Sequence, residues 1–131
     1  MKMFKLNRDS TGYDGERIAE KFLKKKGYKI IERNWCNGKG KRIGEIDIIV
    51  RDEYGGVVFV EVKTRKVSQE QVVLPEEQIT ASKLRKINRI AEVYIKEKEL
   101  WDASWRIDAV SVLIVEGEKN PRIQHFESIF L

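Results

Sequence analysis

Two apolar runs, "GEIDIIVR" at residues 44–51 and "GVVFVEVKTR" at residues 56–65, constrain the fold more than any other part of the chain. β-Branched residues dominate both, and the "DEYGG" between them ends in paired glycines, so the runs read as an antiparallel hairpin. Each run nonetheless carries charge, Glu45 and Asp47 in the first and Glu61 and Lys63 in the second. Side chains alternate along a strand, which puts Glu45, Asp47 and Ile49 on one face and Ile46, Ile48 and Val50 on the other. The partner strand splits the same way, Phe59, Glu61 and Lys63 against Val58, Val60 and Val62. The face without charges is the expected core.

Loop length decides which charges meet. With residues 52–56 as the loop, Asp47 lies across from Glu61 and Glu45 from Lys63; a shorter, three-residue loop would put Lys63 opposite Asp47. In the first register two carboxylates approach to within about 5 Å, which is destabilising. A divalent cation would relieve that repulsion, and hard ions such as Mg²⁺ accept one or two carboxylates together with water and phosphate oxygens. A ladder of salt bridges, with Glu45 paired to Lys63, explains the same pattern without a metal.

Around the hairpin, residues 11–31 place Ile18, Ala19, Phe22 and Leu23 on one side of a helix that Gly27 ends, and "YKIIERNW" follows as a strand. A Gly- and Lys-rich loop, "CNGKGKR", leads into the hairpin. After a polar connector, residues 79–99 keep helical spacing behind a proline start, "WRIDAVSVLIV" is a long strand, and "NPRIQHFESIFL" can add a short last one. The expected fold is α/β, a mixed central sheet flanked by helices in the order α-β-β-β-α-β with a further short strand. At 131 residues with 41% apolar content the chain suits a single domain, 1–131, with the first eleven residues flexible.

The net charge of +5 favours polyanionic partners, although a solvated basic surface gives the same number. Cys36 is the single cysteine and His125 the single histidine, so any metal must sit on oxygen ligands. No apolar run approaches the roughly 20 residues of a membrane span, and a cytoplasmic location without membrane contact is expected.

Further residues bear on the charged face. Glu16 falls at the border of the first helix's apolar side while Glu20 points further out; Glu16 either leans toward the sheet or complements the helix dipole. Lys83 lies in the second helix's apolar stripe and either snorkels to water or sends its amine to a phosphate or to the acids. Arg85, Arg89 and Lys96 form an outward ridge on that helix, suited to phosphates or to solvent. His125 is either a general base or, as is commoner for one histidine on an edge segment, structural or merely exposed; Asp108 and Arg106 read as an internal ion pair, and Trp35, Trp101 and Trp105 are too scattered for a stacking platform.

An acidic residue on the first helix, then "EID" and "EVK" on successive strands, resembles the PD-(D/E)xK nuclease superfamily, which includes archaeal Holliday-junction resolvases. Over nearly the whole chain, "GERIAEKFLKKKGYKIIERNW", "GEIDIIV", "VFVEVKTR", "SKLRKINRIAEVYI" and "RIDAVSV" are similar in order to the YraN-like family of small bacterial proteins, usually placed in that superfamily. The resemblance implies a restriction-endonuclease-like core and a Mg²⁺- or Mn²⁺-dependent endonuclease or resolvase-like enzyme cleaving DNA, branched DNA included, and it is compatible with a homodimer. By position it implies Asp47, Glu61 and the Val62 carbonyl as metal ligands, with Glu16 direct or through water, and Lys63 as the motif lysine; Glu16, Asp47, Glu61 and Lys63 are the implied catalytic set. Lys39, Lys41, Arg42, Arg65, Lys83, Arg85 and Arg89 would hold the nucleic acid. Ile46 stands where the motif that names the superfamily has proline. The alternative is a nucleic-acid-binding module that keeps the nuclease fold with little or no catalysis.

Overall fold

The structure is a computed structural model and describes residues 11–38, 40–71 and 79–130. Helix α1 (Thr11–Lys25) precedes three strands, β1 (Lys29–Trp35), β2 (Ile46–Arg51) and β3 (Val57–Val67). A short 3-10 turn (Gln69–Gln71), helix α2 (Ala81–Glu97) and strands β4 (Trp105–Val115) and β5 (Arg122–Phe126) complete the order. The mixed five-stranded sheet runs β1-β2-β3-β4-β5; β3 and β4 are parallel and the other neighbours antiparallel. The expected short last strand is therefore present as β5, and Thr11 already belongs to α1, whereas residues 1–10 lie outside the described residues. No helix among the described residues is long and apolar enough to cross a membrane.

Both faces of the sheet are core. On one, Ala19 and Leu23 of α1 pack with Ile48, Val50, Val58, Val60, Val110 and Val112. On the other, Leu84, Ile87, Ile90, Ala91, Tyr94 and Ile95 of α2 pack with Ile46, Ile49, Val57, Phe59 and Ile107. The sequence expectation of one apolar and one charged hairpin face holds only at the far end of the hairpin. Ile49 and Phe59, placed by alternation on the charged face, are fully buried under α2, because a strand between two helix layers has no solvated side. Ile46 also departs from simple alternation, joining Ile49 and α2 instead of Ile48 and α1. It lies beyond the last β2–β3 pair, Ile48↔Val60, and is held on the β1 side alone, opposite Trp35.

The hairpin loop is residues 52–56. Asp52 N–H bonds Gly56 O at 3.0 Å, Asp52 Oδ1 accepts from the N–H groups of Tyr54 and Gly56, and Gly55 takes φ +86°. Helix α2 starts at Ala81 behind Thr80, whose side chain accepts from Lys83 N. This corrects the proline start read from the sequence: a Thr N-cap opens the helix, and Pro75 lies outside the described residues.

Helix α1 is held close to the sheet by a glycine. A Cβ at Gly15 would overlap the Thr64 hydroxyl on β3, so only glycine allows this approach despite its cost of about 1 kcal/mol within a helix. At the other end of the same face, Asp108 is fully buried and saturated with donors. Arg106 reaches it at 2.9 and 3.2 Å, Ser128 N–H at 2.9 Å and His125 Nε2 at 2.8 Å. Lys26 Nζ lies 2.7 Å from His125 Nδ1. An ammonium can only donate, which makes Nδ1 the acceptor and leaves Nε2–H to donate to Asp108. His125 and the Arg106–Asp108 pair are thus structural, tying β5 and α1 to β4. Burial opposes the charge on Asp108, but the bonds from His125, Arg106 and Ser128 outweigh it and hold its carboxyl below the ordinary range.

Gly15→Ala is expected to destabilise the protein by about 1–3 kcal/mol, the usual cost of overpacking, and adding Thr64→Ala should recover only part of the loss in chemical denaturation, because the Cβ at position 64, 2.7 Å from the added methyl, remains. Asp108→Ala, which strands Arg106 and His125, should cost about 3–5 kcal/mol at neutral pH. Because the folded state depresses the Asp108 pKa, its contribution is present above the ordinary carboxylate range and is lost as pH falls through the folded value, so acid melts of the variant and wild type should converge.

Candidate active site

The observed register, Ile49↔Phe59 and Ile48↔Val60, follows the five-residue loop and, carried one step further, places Asp47 across from Glu61. Beyond Ile48↔Val60 the Val62 N–H donates to Asp47 Oδ2 at 2.8 Å. Glu61 is 5% exposed, one of two buried polar or charged residues among those described, the other being Asp108. Burial, the neighbouring Glu61 charge and, more weakly, Glu16 push the Asp47 carboxyl up to about 7, against the opposing bond from Val62.

Two lysines attend the acids. Lys83, on the first turn of α2, places Nζ 2.5 Å from Glu61 Oε1. The hydrogen bond to Glu61 raises its pKa against the effect of burial, and the Lys63 side chain lies within hydrogen-bonding reach. Of the two fates read from the sequence, the amine goes to the acids while its stem stays half exposed. Lys63 shares a β3 face with Glu61 by alternation and is half-buried.

Glu16 comes from α1. Its Oε1 accepts from Asn34 Nδ2 at 2.7 Å; burial raises its pKa, the Asn34 bond opposes this, and the charges of Glu45 and Glu61 add to it. A cavity of about 280 Å³ opens between α1 and β1–β2, lined by Glu16, Glu20, Arg33, Asn34, Asp47 and Ile48 among others. Glu20 does not point away as the sequence suggested. It lines this cavity and takes a paired contact from Arg33, 2.9 Å at Nε and 2.5 Å at Nη2, which holds its carboxyl below the ordinary range.

The structure also corrects the expected Glu45–Lys63 pair. Glu45 lies before β2, and Arg42 Nη2 bonds it at 2.7 Å instead, a partner three residues away. Lys41 and Arg42 are exposed in the loop before β2, and Lys39 lies outside the described residues. Arg65 sits half-buried on β3; Arg85 and Arg89 are exposed on α2. At 100° per residue, those two point well away from Lys83, so the ridge and the acid pair occupy different sides of the helix.

Among the described residues, no group of three or more His, Cys, Asp or Glu side chains forms a ready cage for a metal ion. Two apposed carboxylates with hard oxygen donors still suit Mg²⁺ or Mn²⁺, ions that complete their shells with water and phosphate oxygen. Sequence reasoning missed Asn34. The available signal was an asparagine inside a β-strand, where that residue is depleted.

Residues 15–112 match the family described as "Uncharacterised protein family UPF0102". The chain belongs to the UPF0102 (YraN) family. Relatives in it include a UPF0102 protein of Trichlorobacter lovleyi, 36% identical over 121 residues, covering 92% of this chain and 90% of the relative. One from Pelotomaculum thermopropionicum is 38% identical, with 94% and 97% covered, and one from Caldanaerobacter subterraneus subsp. tengcongensis 41% identical, with 86% of each covered. Among solved structures, the chain is similar to a repair endonuclease from Pyrococcus abyssi at 19% identity and TM-score 0.40. It is also similar to a chain of an EndoMS–dsDNA2 complex at 15% identity and TM-score 0.37. In each case the match covers 89% of this chain and 42% of the other.

The apposed acids make a stability prediction. The folded state raises the Asp47 pKa from 3.8 to about 7, so its contribution is most favourable below the unfolded value and is lost as pH rises through the folded one. Without divalent ions, the unfolding free energy should therefore carry a loss on the order of 2–4 kcal/mol between about pH 4 and pH 8. Asp47→Asn should remove that part of the slope and be the more stable protein at pH 8, as measured by urea denaturation in chelator.

Proposed function

We propose that this chain is a divalent-metal-dependent endonuclease acting on DNA phosphodiesters. The observation that carries the reading is Asp47 set across from Glu61 with Lys63 next on the same β3 face, the arrangement the PD-(D/E)xK resemblance calls for. Asp47 and Glu61, with the Val62 carbonyl, would hold Mg²⁺ or Mn²⁺, and Glu16 would act from α1 directly or through water. The bound ion would lower the pKa of a water and stabilise charge on the phosphoryl oxygens. Lys63 would orient the attacking water or neutralise developing negative charge. Lys83, paired with Glu61 in this structure, would also lie in reach of a bound phosphate. Lys39, Lys41, Arg42 and Arg65, with Arg85 and Arg89 further round α2, would supply salt-dependent contacts to the DNA backbone that carry little sequence information.

A second reading has one observation in its favour. Lys83 already neutralises Glu61, which suits a DNA-binding module whose acid site holds metal weakly and cuts poorly. Cleavage of plasmid, flap and four-way-junction DNA with Mg²⁺ or Mn²⁺ separates the two. Nicking or cutting by wild type that falls at least about 100-fold in Asp47→Ala, Glu61→Ala and Lys63→Ala supports the enzyme. Equal cutting by the variants would show the active site to be misplaced, and binding without cutting favours the module.

A further inference from the structure

Asn34 takes φ +48°, a left-handed conformation, at the penultimate position of β1. Few residues other than glycine adopt it, asparagine being the most tolerant of the polar ones. Strand pairing is not broken there, since Arg33↔Ile48 and Trp35↔Ile46 flank the position and set Asn34 opposite Asp47. Asn34, Asp47 and Glu61 thus form one row across three adjacent strands. From this position Asn34 Nδ2 donates to Glu16 Oε1 at 2.7 Å, and Asn34, Glu16 and Asp47 line the same cavity. Unusual backbone of this kind persists where the surroundings fix it, and it collects at functional sites.

The geometry points to Asn34 as a positioning residue of the acid site: its left-handed backbone and its amide hold the Glu16 carboxylate turned toward Asp47. The inference rests on the proposed metal site for its consequence, though not for the contact itself. A carboxylate on a helix has several staggered rotamers. The amide selects one, as partners behind metal ligands commonly do, at a value of roughly 10–100-fold in affinity. Glu20, one turn along α1, is held separately by Arg33, so the two acids have different partners and Asn34 is specific to Glu16.

The test is a double-mutant cycle of Asn34→Gly and Glu16→Ala. Glycine accepts the positive φ, so the backbone is kept and only the amide is lost. Mn²⁺ titrated by calorimetry should bind Asn34→Gly roughly tenfold more weakly than wild type, with no further loss when Asn34→Gly is added to Glu16→Ala. In parallel, urea midpoints of the four metal-free proteins should show a different shift for Asn34→Gly in the presence and absence of the Glu16 side chain. Equal effects of Asn34→Gly in both backgrounds, in either measurement, would overturn the inference and leave Asn34 a turn residue only. Should wild type bind no Mn²⁺, the proposed metal site fails, and the urea cycle alone decides: unequal shifts keep Asn34 as the holder of Glu16, and equal shifts reject it.

Discussion

The repulsion between Asp47 and Glu61 is the constraint around which the site end of the sheet is arranged. Two carboxylates apposed on neighbouring strands and largely withdrawn from water are each short of hydration and close to like charge. The fold answers with unequal compensation. Asp47 receives one backbone N–H and is pushed toward its neutral form, while Glu61 receives the Lys83 ammonium. The same register that brings the acids together also packs Ile49 against Phe59 under α2. A one-residue slip would expose that core, so the apolar half of the hairpin enforces the electrostatic cost of the polar half.

Each helix then delivers one group to the row of strands. Helix α1 can do so because Gly15 lets its backbone settle on Thr64, one residue past Lys63, and this places Glu16 beside the acids. Helix α2 begins at its Thr80 cap immediately before Lys83, so the cap that starts the helix also sets where the ammonium projects. Far from the acids, the buried Asp108 ties Arg106, His125 and the backbone of Ser128 together, and His125 passes the tie to Lys26 just beyond α1. Helix α1 is consequently fixed at both ends, and the angle at which it presents Glu16 is not left to the acid site alone.

Much of this was legible in the residues. Alternation and the Gly-Gly turn were enough to place Asp47 opposite Glu61 in one of two registers, and the helical spacing of Ile87, Ile90, Ala91, Tyr94 and Ile95 marked α2. The family likeness followed from the ordered motifs. What the sequence could not show was tertiary. Ile49 and Phe59 shared a face with charges and read as polar-side residues, because nothing local reveals that a second helix covers them. Glu45 looked like a cross-strand partner of Lys63 until the ladder ended at Ile48 and left it to Arg42. Glu20 seemed turned outward, since its partner Arg33 comes from another element.

Charge accounting at the acid site bears on the divalent ion proposed above. Glu16, Asp47 and Glu61 are three carboxylates, and Lys63 and Lys83 two ammoniums, so the fully ionised cluster retains one net negative charge. A phosphodiester would be repelled by it. Partial protonation of Asp47 near neutral pH lessens the repulsion but also blocks a hard-metal ligand. On the proposed reading, Asp47 and Glu61 would hold Mg²⁺ or Mn²⁺, whose charge would offset that of the acids and make an anionic substrate more welcome, with Lys83 close by on Glu61. The same ion would also remove the folding cost of the apposed acids. On the proposed reading, the arrangement that is unfavourable in the metal-free protein is the one a divalent cation would relieve, and the apolar hairpin beneath it keeps the acids from moving apart.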